Sequence, residues 1–196
     1  MLDPAALDAL FFKARTHNAW QDRAVDEADL RRAFDCMRMA PTAANGQPAR
    51  FVWLRSEHAK ARLRPLLLPG NVEKTMAAPV VVIVAYDTEF QEYLPRLFPH
   101  LPGARAWFDG EPNRAVRLAT AVRNSSLQGA YLMLALRAVG LDCGPMSGFD
   151  AAALDAEFFA DGRLRSNFLI NVGYGDPAGV FPRGPRFEFD EVSQVL

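Results

Sequence analysis

EPNRAVRLATAVRNSSLQGAYLMLALRAVGLDCGPMSGFD, from Glu111 to Asp150, is the stretch whose reading decides the fold. It reads as one long helix followed by a bend. The run Leu127 to Leu136, LQGAYLMLAL, is apolar on nearly every face, which predicts a helix packed inside a core. Arg123 and Arg137 bracket it, and the uncharged interval between them falls short of the roughly 18 residues of a membrane span. Gly140 is the expected stop, as a residue able to take a left-handed conformation. The chain then passes Gly144, Pro145, Ser147 and Gly148 before Asp150, which is placed to cap a new helix. Glycines and a proline this close together point to main chain pressed against something flat or against another backbone, although a tight helix-to-strand connection would read the same.

Outward from that stretch, 196 residues with a hydrophobic fraction of 50% suit a single domain, 1–196, with a sizeable core. A formal net charge of -1 supplies no field for nucleic acid or an anionic membrane, so any anion binding must be local. Positive charge does gather locally, in RLRP and PRGPR. The two cysteines, Cys36 and Cys143, have no CxxC spacing and read as small buried hydrophobes in a reducing compartment. The first residues have neither the basic start nor the long apolar centre of a signal peptide, and the expectation is a cytoplasmic protein.

Asp3-Pro4 starts a first helix, whose exit places Arg15, Thr16, His17 and Asn18 ahead of Trp20; such a polar run is a binding edge or a solvated turn. Asp26 opens a second helix, read as ending at Pro41, and RFVWLR follows as a short strand after the small-residue loop Thr42 to Asn45. SEHAKARLRPLL is an amphipathic surface helix. Asn71 and Lys74, three apart, share one helical face. PVVVIVAY is a continuous β-branched run, the mark of a central strand covered by helices on both sides. From Phe90 to Phe108 the chain is aromatic and punctuated by Pro95, Pro99 and Pro102, which reads as a lid or a structural cap. NFLINVGYGD is the last core strand. Its glycines do not have GxGxxG spacing and no helix follows, so a dinucleotide-binding turn is rejected. The closing RFEF is strand-like and could pair within the chain or with a second copy.

The histidines, His17, His58 and His100, show no metal-site spacing, and neither a GxSxG elbow nor a phosphate-binding GK[ST] occurs. Dispersed polar positions without an evident nucleophile or metal suit a bound organic cofactor that carries the reaction.

Taken in order, Arg15-Thr16-His17-Asn18, the loop APTAANGQPARF, Asn71 with Lys74, the GLDCGPMSGFD turn, NFLINVGYGD and PRGPR resemble the FMN-dependent nitroreductase family over almost the whole chain. The segment Phe90–Phe108, RNSSLQGAY and PMSGFD are most similar to its malonic semialdehyde reductase branch of pyrimidine degradation. The resemblance implies an α+β fold with a mixed, mostly antiparallel sheet covered by helices on both faces. It also implies a homodimer with the long central helix at its interface and FMN at two interface sites. In that arrangement Arg15 and Arg183 bind phosphate and Thr16 adds a hydroxyl. Asn18, Asn71 and Lys74 face the ribityl chain and the pyrimidine edge, and Pro41, Thr42 and Asn45 come from the partner subunit. Main chain of Pro145, Met146, Ser147 and Gly148 lies against the isoalloxazine. The implied reaction is ping-pong, with NADPH or NADH reducing the flavin and 3-oxopropanoate then becoming 3-hydroxypropanoate; no protein nucleophile is required. Arg96, His100 or Arg105, beside Trp107, would orient the substrate carboxylate. A broad nitro or quinone reductase and a flavin-storing dimer without turnover remain as alternatives.

Overall fold

The structure is a computed structural model that describes Met1–Leu196. In chain order the elements are α1 (Pro4–Leu7), α2 (Glu27–Met37), β1 (Ala49–Leu54), α3 (Glu57–Leu63) and α4 (Pro69–Ala77). They continue with β2 (Val80–Asp87), α5 (Leu94–Leu97), α6 (Arg114–Ala138), β3 (Asp142–Met146), α7 (Ala151–Phe158), β4 (Leu164–Gly173) and α8 (Phe189–Val192). Several ends follow from capping chemistry. Asp3, Asp26, Ser56 and Asp150 each accept a backbone N–H from the first turn of the helix they precede. α6 stops at Gly140, whose φ is +85°: the Gly140 N–H donates to Arg137 and the Leu141 N–H reaches back to Leu136, which closes the last carbonyls.

The sheet order is β1-β2-β4-β3, and every neighbouring pair is antiparallel. A single bridge, Thr16 to Cys143, supplies parallel pairing. β2 is sandwiched on both faces, as its β-branched run predicts. Val80, Val82 and Val84 pack with Leu30, Met37, Leu132, Leu136 and Ile170 beneath α2 and α6. Val81, Ile83 and Ala85 pack with Leu63, Leu154, Phe159 and Leu169 beneath α3 and α7. The two-residue period of the strand sorts these side chains between the layers.

Several expectations are corrected. α2 ends at Met37, because the chain turns through Arg38–Ala40 before Pro41 is reached. The first helix continues past Leu7 only as a single wide turn, Asp8–Phe12. Cys36 is exposed, since it lies on the outer face of α2; Cys143 alone is buried. The glycine-rich bend is largely an edge strand, β3. The LQGAYLMLAL run is not enclosed by this chain, because the sheet covers only one side of α6. Leu127 is 45% exposed and Tyr131 42%. The residues from Phe181 to Leu196 are all exposed, and RFEF pairs with no strand here.

The segment between β2 and α6 has its own small core. Phe90, Leu94, Ala104 and Phe108 pack on Ala121 of α6. Arg117, 7% exposed, fastens it by donating to the carbonyls of Thr88, Phe108 and Gly110 and to Glu89.

Candidate functional site

β3 is an edge strand, and residues Arg15 to Trp20 run beside it. The His17 N–H donates to the Cys143 carbonyl, and Trp20 Nε1 donates to the Lys74 carbonyl at 3.0 Å. This close approach needs glycines. A Cβ on Gly144 would overlap the His17 carbonyl, and one on Gly175 would enter the His17 imidazole. His17 is consequently buried, with Nε2 3.4 Å from Asp142 and Nδ1 unpartnered. The pressed backbone inferred from the glycines is therefore real, and its partner is the 15–20 segment.

At the start of this edge lies a cavity of about 480 Å³, lined by Arg15, Thr16 and Asn18, by Arg137 of α6, and by Phe181, Arg183 and Arg186 of the C-terminal segment. Arg15 donates to the Phe181 carbonyl, and Arg183 to those of Phe12 and Ala14. Arg137 and Arg186 likewise donate to main-chain carbonyls. None of the four forms an ion pair with a carboxylate. Four cations around one cavity repel one another until an anion enters, and a guanidinium fork suits phosphate oxygens best. Arg15, Thr16, Asn18 and Arg183 are thus brought together. Arg137 and Arg186 complete the set. Arg186 stood visible in PRGPR, whereas nothing in the sequence ties Arg137 to residues so far from it at both ends of the chain.

Further along the same edge, Asn71 Nδ2 donates to the Gly148 carbonyl at 2.9 Å, and Leu68 N–H donates to it as well. Behind them Asn171 Nδ2 reaches Thr75 Oγ1, which donates to Met146 Sδ. Lys74 has no carboxylate partner and sits one turn along α4 from Asn71. Asn71, Lys74 and the Pro145–Gly148 main chain therefore share one margin. Burial pushes the Cys143 thiol above its ordinary range, Arg137 nearby drawing it partly back and Asp142 adding to the rise.

Pro41, Thr42 and Asn45 lie elsewhere in the chain. Ala43 N–H donates to Asn124 of α6, and Asn45 Nδ2 to the Leu97 carbonyl. The Phe90–Phe108 residues flank this loop and not the arginine cavity. Arg105 is tied to Asp109 at 2.9 Å, His100 meets the Phe98 ring edge-on, and Trp107 is 53% exposed against Phe108. Arg96 has no carboxylate partner; it lies near Tyr93 and lines a cleft of about 390 Å³ with Arg38, Arg50 and Gln128. No helix is long and apolar enough to cross a membrane.

An antiparallel four-strand sheet between helical layers, with one long helix, defines the nitroreductase-like α+β class. The chain belongs to the nitroreductase family, whose profile matches residues 13–174. A relative from Burkholderia lata, provisionally named an NADH dehydrogenase/NAD(P)H nitroreductase, is 62% identical over 99% of this chain and 98% of its own length. One of the same provisional name from Stenotrophomonas maltophilia is 57% identical over 99% and 97%. Among solved structures, a provisionally named nitroreductase from Bacillus subtilis superposes with a TM-score of 0.88 at 21% identity, covering 99% of this chain and 100% of the other. One from Exiguobacterium sibiricum, described in complex with FMN, gives 0.87 at 20% identity, covering 100% and 98%.

Proposed function

We propose that this chain is an FMN-dependent NAD(P)H oxidoreductase that works as a homodimer and reduces a small carbonyl compound, 3-oxopropanoate above others. The observation that carries the flavin reading is the cavity in which Arg15, Arg137, Arg183 and Arg186 converge with no carboxylate among them. A phosphate dianion is the chemistry that this donor set lacks, so the residues fit the group. The names of the relatives, which include NAD(P)H, and the FMN described in the Exiguobacterium protein support the same reading.

On this reading Arg15, Arg137, Arg183 and Arg186 hold the phosphate and Thr16 adds a hydroxyl. Asn18, Asn71 and Lys74 flank the ribityl chain and the polar edge of the ring. The main chain from Pro145 to Gly148 would lie along the ring, and Gly148 is needed there because a Cβ would displace the Asn71 amide that bonds its carbonyl. When bound, FMN supplies a carrier that accepts hydride from NAD(P)H and returns it to an acceptor. The protein's own tasks are to hold that group, orient the acceptor and limit water.

The exposed face of α6, with the apolar Val116, Leu127 and Tyr131, supports a second copy packing there. In such a dimer, Pro41, Thr42, Asn45 and the Phe90–Phe108 segment serve the partner's flavin. Arg96 and His100 are the groups of that segment left to meet a substrate carboxylate, since Arg105 already has Asp109. A second reading, broad nitro or quinone reduction, is favoured by the names of the relatives and by the exposed Trp107 ring.

The test starts from the visible spectrum of the purified protein and titration of the apoprotein with FMN. Arg137→Ala and Arg183→Ala should each weaken FMN binding by about 10- to 100-fold, as expected for a lost charged hydrogen bond. Protein that stays colourless after FMN is added would end the flavin reading. Rates with 3-oxopropanoate, a nitroarene and a quinone, compared side by side, choose the acceptor, and no steady NAD(P)H oxidation with any of them leaves only a flavin-binding dimer.

A further inference from the structure

The loop from Thr42 to Gln47 has an unusual backbone. Ala44, Asn45 and Gln47 all have positive φ, at 50°, 48° and 42°, in the left-handed region that non-glycine residues seldom occupy. Such conformations persist only where the surroundings over-determine them, and they gather at ligand clamps. Here the determinants are explicit. One turn of α6 carries two buried amides, Asn124 and Gln128, 3% and 4% exposed. Asn124 Oδ1 accepts the Ala43 N–H at 2.8 Å at the loop's entry, and Gln128 Oε1 accepts the Ala49 N–H at 3.0 Å just past its exit. Between those pins Thr42 Oγ1 accepts the Gln47 N–H, and Gln47 Nε2 donates to Asn45 Oδ1. Gly46 is packed so closely on Phe90 that an added Cβ would come within 2.9 Å of the ring. The N–H groups of Ala43, Gln47 and Ala49 are thereby paired, while Pro41, Ala43 and Asn45 are exposed.

The same helix turn has a second face. Arg123, Ser126 and Leu127, interleaved with Asn124 and Gln128, are exposed on the face that a second copy would cover. α6 thus fixes the loop on one side and meets the other subunit on the opposite side. We infer that Asn124 and Gln128 are positioning residues: they lock the 42–47 loop in its left-handed form and set its register relative to the partner's flavin. This rests on the dimeric flavin reading above. Neither side chain is assigned contact with the flavin; each acts through the loop.

Gln128 permits a clean test, because its Nε2 has no protein acceptor whereas its Oε1 holds Ala49. Gln128→Glu keeps an acceptor oxygen there and faces a cleft lined by Arg38, Arg50 and Arg96, whereas Gln128→Ala removes it. The apoproteins of the parent, Asn124→Ala, Gln128→Ala and Gln128→Glu are titrated with FMN, with sedimentation and far-UV circular dichroism recorded on each. Both alanine variants should remain folded dimers and bind FMN at least about tenfold more weakly, while Gln128→Glu returns to within about threefold of the parent. A mixed dimer of Asn124→Ala with Arg15→Ala should hold one flavin per dimer at parental affinity, because one of its two sites then has an intact loop and an intact arginine cradle. Parental affinity in both alanine dimers, or equal weakening in Gln128→Ala and Gln128→Glu, overturns the inference, as does a mixed dimer without a tight site. If the parent itself binds no FMN, the flavin reading has failed instead. Should an alanine variant not fold, amide exchange at Ala43 and Ala49 in Gln128→Glu decides: protection kept at Ala49 with flavin affinity lost overturns the positioning role, and both kept together support it.

Discussion

Cys36 and Cys143 belong to the same residue type and lie in opposite environments, which shows how little a residue's identity fixes without its surroundings. Burial holds the Cys143 thiol protonated, so at pH 8 a thiol reagent should titrate one cysteine in the native protein and both in denaturant. Two fast-reacting thiols in the folded protein would contradict this burial. The sign also gives a stability trend. The raised folded value favours the neutral form, so this contribution is complete below about pH 8.5, where the unfolded thiol ionises, and is lost as pH rises through the folded value. Gly144 shows backbone meeting backbone. Gly144→Ala drives a Cβ into the His17 carbonyl, where no rotamer can give way, and should cost about 3 kcal/mol in urea unfolding. A midpoint matching that of the parent would mean that the 15–20 segment is not docked on β3. That docking also sets where Arg15 and Thr16 stand.

At the scale of elements, α6 organises three neighbours through side chains that its apolar content hides. Arg117 holds the excursion between β2 and α6, Asn124 and Gln128 hold the 42–47 loop, and Arg137 lines the arginine-rich cavity. Arg117→Ala would strand the carbonyls of Phe108 and Gly110 and should destabilise the excursion by about 3 kcal/mol. Limited proteolysis should then cut within residues 88–113 well before the sheet unfolds. Arg117→Lys should not restore resistance, because a single ammonium cannot span acceptors that the planar fork reaches together. Unchanged protection in the alanine variant would leave the aromatic core of Phe90, Leu94 and Phe108 as the sole anchor.

For the whole molecule, the exposed α6 stripe and the fully exposed C-terminal segment leave apolar surface that a second copy would cover. On the proposed dimeric reading, Leu127→Glu places a carboxylate on that face of α6 and should shift sedimentation from dimer to monomer at micromolar concentration, with loss of FMN. A dimer that survives the change would put the interface elsewhere. Much of this architecture was legible in the sequence because local chemistry decides it. Caps at Asp3, Asp26 and Asp150, the left-handed stop at Gly140 and the buried β2 run are each set by a few adjacent residues. Resemblance, not periodicity, supplied the grouping of Arg15, Thr16 and Asn18 with Arg183, since no local rule joins positions so far apart. The sequence by itself therefore determined α2, α3, α6 and α7, the strands β1, β2 and β4, and that the sheet is covered on both faces. Only the tertiary structure decided that α6 has an uncovered side, that Pro145 and Met146 end an edge strand and that Arg137 joins the cavity. Those outcomes depend on how the layers close over one another, a property of packing at long range that neighbouring side chains do not encode.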